Sequence, residues 1–450
     1  MASAWGDGGK ERMVETSTEV RTRSEIWKDF EPSERREVAT VVVSTLQSQS
    51  TSALLLLLLS LLALDVTGSP ASVPLVVAAG ALPALLLVRW VRSVNRLLDH
   101  RWVMLLSDVG AFTVALVLYL LVRGGGLQAW HIYVGMFLFS SFGAFYLPAM
   151  RGWVADQAVG LEQLTWLNAM LSVSTQASVV VGWALGGALA STVGIAASLV
   201  ICALSYAFGI GLQFVVFVLV NRATVRKVAK HGESSGEAAE VGLRATASPQ
   251  ADSGAWRNVF SPRLLGLFTA SLLLMELTHT LAFSMFVPLL TEGAPDRSWI
   301  AGTANACFAL TAMVSGVLAS GGAVGRWARR RAPHIVIMGF CVQALFGLSA
   351  GHAVLAIGLY AVVGLLSGGD AALQSEVQDR WRPVGSAQAF ALFGAVQGPA
   401  QLIGSLVVAF LLLHLPVTAV YVGTILTLGV GAGLFLLLAR VRTASPAPES

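Results

Sequence analysis

The sequence predicts an all-α polytopic membrane protein with about twelve transmembrane helices in two six-helix bundles. Three observations carry the prediction. About a dozen apolar stretches are each long enough to cross a hydrocarbon core ~30 Å thick, which takes about 20 helical residues. All but two of the 29 Lys and Arg residues fall on one side when those stretches are numbered in order. A polar segment divides the stretches into two groups of six. The composition agrees: 55% of residues are hydrophobic and 12% charged, with a mean hydropathy of +0.72, so too little polar surface remains to clothe a water-soluble globule.

The expected spans are 40–64, 71–90, 102–122, 130–150, 166–190 and 194–219 in the first group. In the second they are 264–290, 299–320, 333–350, 353–373, 387–413 and 416–439. Residues 1–37 are polar and of mixed charge, and the apolar run that follows is too long for the core of a signal peptide. Residues 38–219 form the first bundle, 220–263 a cytoplasmic linker rich in Ser, Ala and Gly, 264–440 the second bundle, and 441–450 a tail. With the N-terminus in the cytoplasm, only Arg123 and Arg297 lie outside, and both termini are expected inside. The net charge of +4 is then a matter of orientation and anionic inner-leaflet lipid, with no nucleic acid implied. The abundance of Arg, Ala, Gly, Leu and Val is the usage of a GC-rich bacterial genome, which places the chain in a bacterial cytoplasmic membrane. A monomer is expected.

Enzymatic readings find no support: the chain carries no phosphate-binding loop, dinucleotide fingerprint, metal-ligand cluster or catalytic triad pattern. Cys202, Cys307 and Cys341 are far apart within apolar spans and read as small core residues. No cofactor or metal is expected.

Ionisable residues inside apolar spans are the best internal pointers to mechanism. Each costs about 2.5–3.5 kcal/mol when it faces lipid at a helix centre, so it turns toward a cavity or a partner. Glu276 lies halfway along the seventh span with His279 three residues on, on the same helical face. A carboxyl withdrawn from water beside an imidazole is the residue pair a proton carrier needs. A structural pair joining two helices is the alternative. Asp370 follows Gly368-Gly369 in the tenth span and is either a second proton site or a gate residue paired with Arg380 or Arg382. Asp108, early in the third span, reads as a latch partner of Arg101 or Arg151, whereas Asp156 reads as a solvated or capping residue.

Uncharged polar residues form stripes at helical spacing on three helices. Gln47, Gln49 and Ser52 lie on the first, Asn168, Ser172, Thr175 and Gln176 on the fifth, and Gln388, Gln397 and Gln401 on the eleventh. Such stripes are what a substrate cavity between two bundles requires, although interhelical hydrogen bonds, worth about 0.6 kcal/mol each, make similar ones. Phe283 adds apolar lining, as do Phe142, Phe145, Tyr146 and Phe286 unless they serve bundle packing.

The two halves repeat one pattern. PAMRGWVADQAVGLEQLTWLNAM follows the fourth span, and QSEVQDRWRPVGSAQAF the tenth, each leading into a polar-faced helix with small residues. Six plus six helices about a central loop is the layout of the major facilitator superfamily, whose halves rock about a site near the membrane midplane. Those two loops, with TGSPASVPLVVAAGALPALLL and NRLLDHRWVMLLSDVGAF, resemble the bacterial branch that holds the enterobactin exporter and the macrolide efflux proteins. The resemblance covers residues 40–440 and implies an efflux transporter for a hydrophobic or amphipathic small molecule; with no ATP-binding motif in the chain, an ion gradient must drive it, and the buried acids make protons the expected coupling ion.

The resemblance also implies a cytoplasmic gate between the second and third spans, built on a Gly and an acid followed by basic residues. The matching positions here are Val91, Asn95, Arg96 and Arg101, so both the Gly and the acid are absent, with Asp99 four residues away as a substitute. The second half keeps glycines and bases, Arg326 among them, but again no acid. Asn95, Arg96, Asp99, Arg101, Asp108 and Arg326 are therefore the expected gate residues. Export of that small molecule is the expected function, an importer or facilitator is the rival within transport, and the missing acids keep open a degenerate permease acting as a membrane sensor or partner protein.

Overall fold

A computed structural model describes residues 27, 30, 32–157, 161–230, 257, 263–291, 295–319, 322–381 and 386–444. Most of the polar N-terminal segment and of the expected linker lies outside the described residues. All regular structure among the described residues is helical. In the first half the helices are α1 (Pro32–Thr67), α2 (Ser72–Leu86), α3 (Val88–Leu97), α4 (His100–Arg123), α5 (Ala129–Gln157), α6 (Leu161–Thr192) and α7 (Gly194–Lys230). The second half has α8 (Arg263–Thr291), α9 (Ser298–Ala319), α10 (Gly322–Leu348), α11 (Ala353–Leu366), α12 (Gly368–Trp381), α13 (Ser386–Leu412) and α14 (Val417–Ala444).

These make 11 helices long and apolar enough to cross a membrane, or 12 if the bent pair α2–α3 is one span. The protein is a multi-pass membrane protein. The expected second span bends by 56° between α2 and α3, where Leu87 leaves helical geometry at φ −99° and ψ 2°. The tenth span is made of α11 and α12, which meet at Ser367. Several expected boundaries move, with α1 starting at Pro32 and α10 at Gly322. The fourth span continues to Gln157, and the sixth runs on to Lys230 through residues read as linker, because Asn221–Lys230 contains no Gly or Pro to stop it. Asp99 starts α4 by accepting the backbone N–H of Arg101 at 2.9 Å, satisfying one of the donors a helix N-terminus leaves open.

The first span of each half, α1 or α8, is the most enclosed of its set. Helix α1 packs on α6 and α7, and α8 on α14 and α13. The halves meet mainly where α9 crosses α6 and α13 crosses α2. Small residues permit the first crossing: a Cβ on Gly187 would stand 2.8 Å from both Gly302 Cα and Ser298 O. Ser298 adds a hydrogen bond from its Oγ to Gly187 O at 3.3 Å. This contact lies near the C-terminus of α6 and the N-terminus of α9, the end of the bundles opposite the Arg-rich one. Lipid supplies no hydrophobic drive for helices to associate, so such close backbone approach is what gives van der Waals packing its strength.

Candidate functional site

Between the halves lies a cavity of about 790 Å³. The first half contributes Ser48, Gln49 and Ser52 from α1, Asp108 from α4, Phe142 and Tyr146 from α5, and Thr175 and Trp183 from α6. From the second half come His279 and Phe283 of α8, Asn305 and Phe308 of α9, Gln343, Tyr360 and Gln401. Trp183 packs edge-on to Phe283 at 5.3 Å and to Phe286 at 5.9 Å, which closes the cavity toward the Gly187–Gly302 contact.

The structure therefore brings Gln49, Ser52, Thr175, His279, Phe283 and Gln401 to one space, with Phe142 and Tyr146. It places other expected lining residues elsewhere. Gln47 turns toward α7, where its Nε2 donates to Ser205 O at 2.7 Å and Ser205 Oγ at 2.8 Å, so it joins helices instead of facing the cavity. Asn168, Ser172 and Gln176 are exposed. Asn168 and Ser172 continue toward the Arg-rich end the α6 face on which Thr175 and Val179 line the cavity. Ser174 and Ser178, on the adjoining face, donate to Val42 O and Leu46 O and fasten α6 to α1. Gln397 is half-buried one turn before Gln401 and outside the lining. Phe286 belongs to the core, stacked near Phe346 and Tyr360, as does Phe145.

On the second half's wall, His279 Nε2 stands 3.5 Å from Asp370 Oδ2. Glu276 is half-buried one turn away and interacts electrostatically with both. A crevice lined by Met275, Gly339, Gln343 and Ser367 connects the imidazole with the Asp370 carboxylate. Glu276, His279 and Asp370 thus form one cluster across α8 and α12, its imidazole on the cavity wall. The expected pairing of Asp370 with Arg380 does not occur, and Arg382, the other expected partner, lies outside the described residues. Arg380 instead reaches Glu376 at 3.1 Å, one turn back on its own helix, and its guanidinium lies 4.3 Å over the Phe268 ring. Arg440 closes on the other oxygen of Glu376 at 3.0 Å.

The residues expected to form a gate in the first half are also paired otherwise than expected. Arg101 pairs with Glu37, its Nε donating at 2.7 Å and its Nη2 at 2.6 Å to Oε1, and Trp153 Nε1 donates to that same oxygen at 2.9 Å. Glu37 is thus the acid to which Arg101 turns, while Asp99 is spent on the α4 N-terminus. Asn95 bonds within α3, to Val91 O, and Arg326 is exposed on α10. The side chains of Arg96 and Gln388 lie outside those described. Asp108, expected to pair with Arg101 or Arg151, accepts from Ser48 Oγ at 2.6 Å and Gln213 Nε2 at 2.8 Å. It lies deeper along α4 than the Arg-rich end, so neutral donors of α1 and α7 reach it. Asp156 pairs with His100 at 2.9 Å.

Sequence reasoning missed Gln343 and Asn305 of the cavity lining and the polar ties made by Glu37, Gln213 and Glu376. For Gln213, Asn305 and Gln343 the signal was available, since a lone amide in an apolar span is as informative as a lone acid. Glu37 sits among mixed charges in PSERREVAT, where nothing distinguishes it from Glu34.

Residues 41–369 match the profile of the Major Facilitator Superfamily. The chain belongs to this superfamily. Solved structures share its fold at low sequence identity. The nucleoside transporter NupG superposes with a TM-score of 0.66 at 10% identity, covering 91% of this chain and 99% of its own. A bacterial homologue of the human lysosomal transporter Spinster, inward-facing and unoccupied, gives 0.65 at 11% identity, covering 93% and 100%. Tetrameric PepTSo2 gives 0.62 at 13% identity, covering 91% and 98%. A search of curated proteins found no match to the sequence. The expected two-bundle membrane fold is thereby established, and the family is one of transporters.

Proposed function

We propose that the chain is a secondary active transporter that exports a hydrophobic or amphipathic small molecule in exchange for protons, by alternating access. The observation that carries the reading is the cavity: both halves contribute to it, its walls are mainly apolar and aromatic, and the acid–imidazole cluster opens onto one side. Its volume lies within the ~300–1,000 Å³ typical of sites for drug-sized ligands. Rocking of the halves about such a site exposes it to each side of the membrane in turn. The Gly187–Gly302 contact is the part that must open when the site faces the other way.

Coupling falls to the Glu276–His279–Asp370 cluster. An inward proton is worth about 2.3 kcal/mol per 100 mV, and it does work only if a titrating group within the cavity wall holds it in one state and releases it in the other. Glu276→Gln keeps the size of the side chain and removes the titration. In proteoliposomes, gradient-driven transport of a fluorescent amphiphile is expected to fall at least tenfold, with binding and protein yield retained. Normal pumping by Glu276→Gln removes it from the coupling step, and uptake in place of efflux by intact cells reverses the direction.

The Arg-rich end is assigned to the cytoplasm of a bacterial inner membrane. Reporter tags at positions 69, 125 and 294 are then external and those at 235 and 445 internal. One tag on the wrong side overturns the orientation.

A further inference from the structure

The cavity holds one carboxylate that the proposed proton cluster does not use. Asp108 sits on the first half's wall, buried, with Ser48 Oγ on one oxygen and Gln213 Nε2 on the other. Among the described residues no ion pair includes Asp108, and the cavity lining contains neither Lys nor Arg, its His279 being turned to Asp370. A carboxylate offers about four lone-pair positions. Two neutral donors fill two of them, leaving acceptor capacity facing the cavity and a charge with no countercharge in a medium of low dielectric.

The wall around it suits one kind of guest. Phe142, which presses on Gly110 of α4 in space that any Cβ would occupy, lines the same cavity as Asp108. Tyr146, one turn along α5 from Phe142, is held by a hydrogen bond with Thr45 at 3.3 Å and lines the same wall. A cavity lined by both aromatic rings and a carboxylate outside any ion pair attracts cations twice over, by charge and by the ring quadrupole. An anionic guest meets repulsion there, and a neutral one leaves the carboxylate unpaired.

We propose that this cavity binds an amphipathic organic cation, its positive group at Asp108 and its apolar body against Phe142, Tyr146, Trp183 and Phe283. The assignment deepens the export reading by naming the class of substrate, and it rests on the cavity being the transport site. It gives the two halves different tasks: the first reads the charge of the substrate, and the second carries the proton.

The test uses the purified full chain in detergent and two probes of one shape and opposite charge, tetraphenylphosphonium and tetraphenylborate. Equilibrium binding is expected to favour the phosphonium at least tenfold. Asp108→Asn is expected to lose at least tenfold in phosphonium affinity with borate binding unchanged or tighter, and Asp108→Glu to keep the preference. Equal phosphonium affinity in wild type and Asp108→Asn overturns the proposal, as does a wild-type preference for the borate. If Asp108→Asn fails to fold, the wild type still decides, because phosphonium must protect Asp108 from modification by dicyclohexylcarbodiimide, read by peptide mass spectrometry, and absence of protection overturns the site. Binding needs no gradient, so the two readings fail separately. Phosphonium bound at Asp108 but never exported removes the export reading and leaves this site standing, whereas export with no dependence on Asp108 does the reverse.

Discussion

The two halves share a plan and differ in how they hold charge. Each ends its fourth helical span, α5 or α12, with a buried tryptophan that donates its indole N–H to the first helix of the half. Trp153 donates to Glu37 of α1 at 2.9 Å, and Trp381 to Thr269 of α8 at 3.2 Å. In the first half the acceptor is a nearly inaccessible carboxylate that also takes Arg101, so a single knot ties α1, α4 and α5. In the second half the acceptor is a hydroxyl, and the ion pairs have moved to Glu376, Arg380 and Arg440, where Arg440 is 37% exposed. The deep acids differ likewise: Asp108 meets only neutral donors, whereas Asp370 meets His279. A duplicated architecture thus fixes where a polar tie is needed, and leaves open which chemistry makes it.

The largest effect expected from this difference is at Glu37. Removing one partner of a buried ion pair costs about 3–5 kcal/mol, since the remaining charge stays desolvated. Glu37→Ala should therefore lower the melting temperature of the detergent-solubilised protein sharply. Glu376→Ala removes more exposed pairs, which are worth about 0–1 kcal/mol each when solvated, and should lower it much less. Equal losses would show that the two inner ends carry equivalent latches.

A smaller effect is expected where the halves touch. Gly302→Val inserts a side chain where Gly187 and Trp183 O already stand, and overpacking of this kind costs about 1–3 kcal/mol. The loss should fall on the closed state of that end, so a cysteine placed at position 298 becomes more reactive to an impermeant reagent. Unchanged labelling would mean that the contact is not a gate.

The finest comparison is between the tryptophans. Trp153→Phe and Trp381→Phe remove similar volume, but the first also removes a hydrogen bond to a carboxylate, worth about 1.5–3 kcal/mol, and the second one to a hydroxyl, worth about 0.5–1.5 kcal/mol. Trp153→Phe should be the more destabilising by about 1 kcal/mol in thermal denaturation. The opposite order would place the tie of the first half elsewhere than in the Glu37 knot.

The sequence by itself determined the architecture, because the constraint behind it is one-dimensional. A span must be about 20 apolar residues whatever its neighbours, and Arg-rich segments segregate whatever the packing. The duplication was legible for the same reason, with Trp153 and Trp381 standing in the two stretches that repeat. Glu276, His279 and Asp370 were visible because an ionisable residue in an apolar run stands out without any knowledge of its partners. Those partners were decided only in three dimensions. Helical spacing sets Gln47 and Gln49 on different faces of α1 without saying which face is the cavity's, and the approach of α7 took Gln47 to Ser205 and left Gln49 on the wall. Asp108 was read against the arginines nearest in sequence, yet its depth along α4 sets it among the neutral donors of α1 and α7. Glu37 was hidden in a charged run, and only the crossing of α1, α4 and α5 singles it out. Periodicity fixes the direction a side chain takes from its own helix, and the facing helix decides what it meets there.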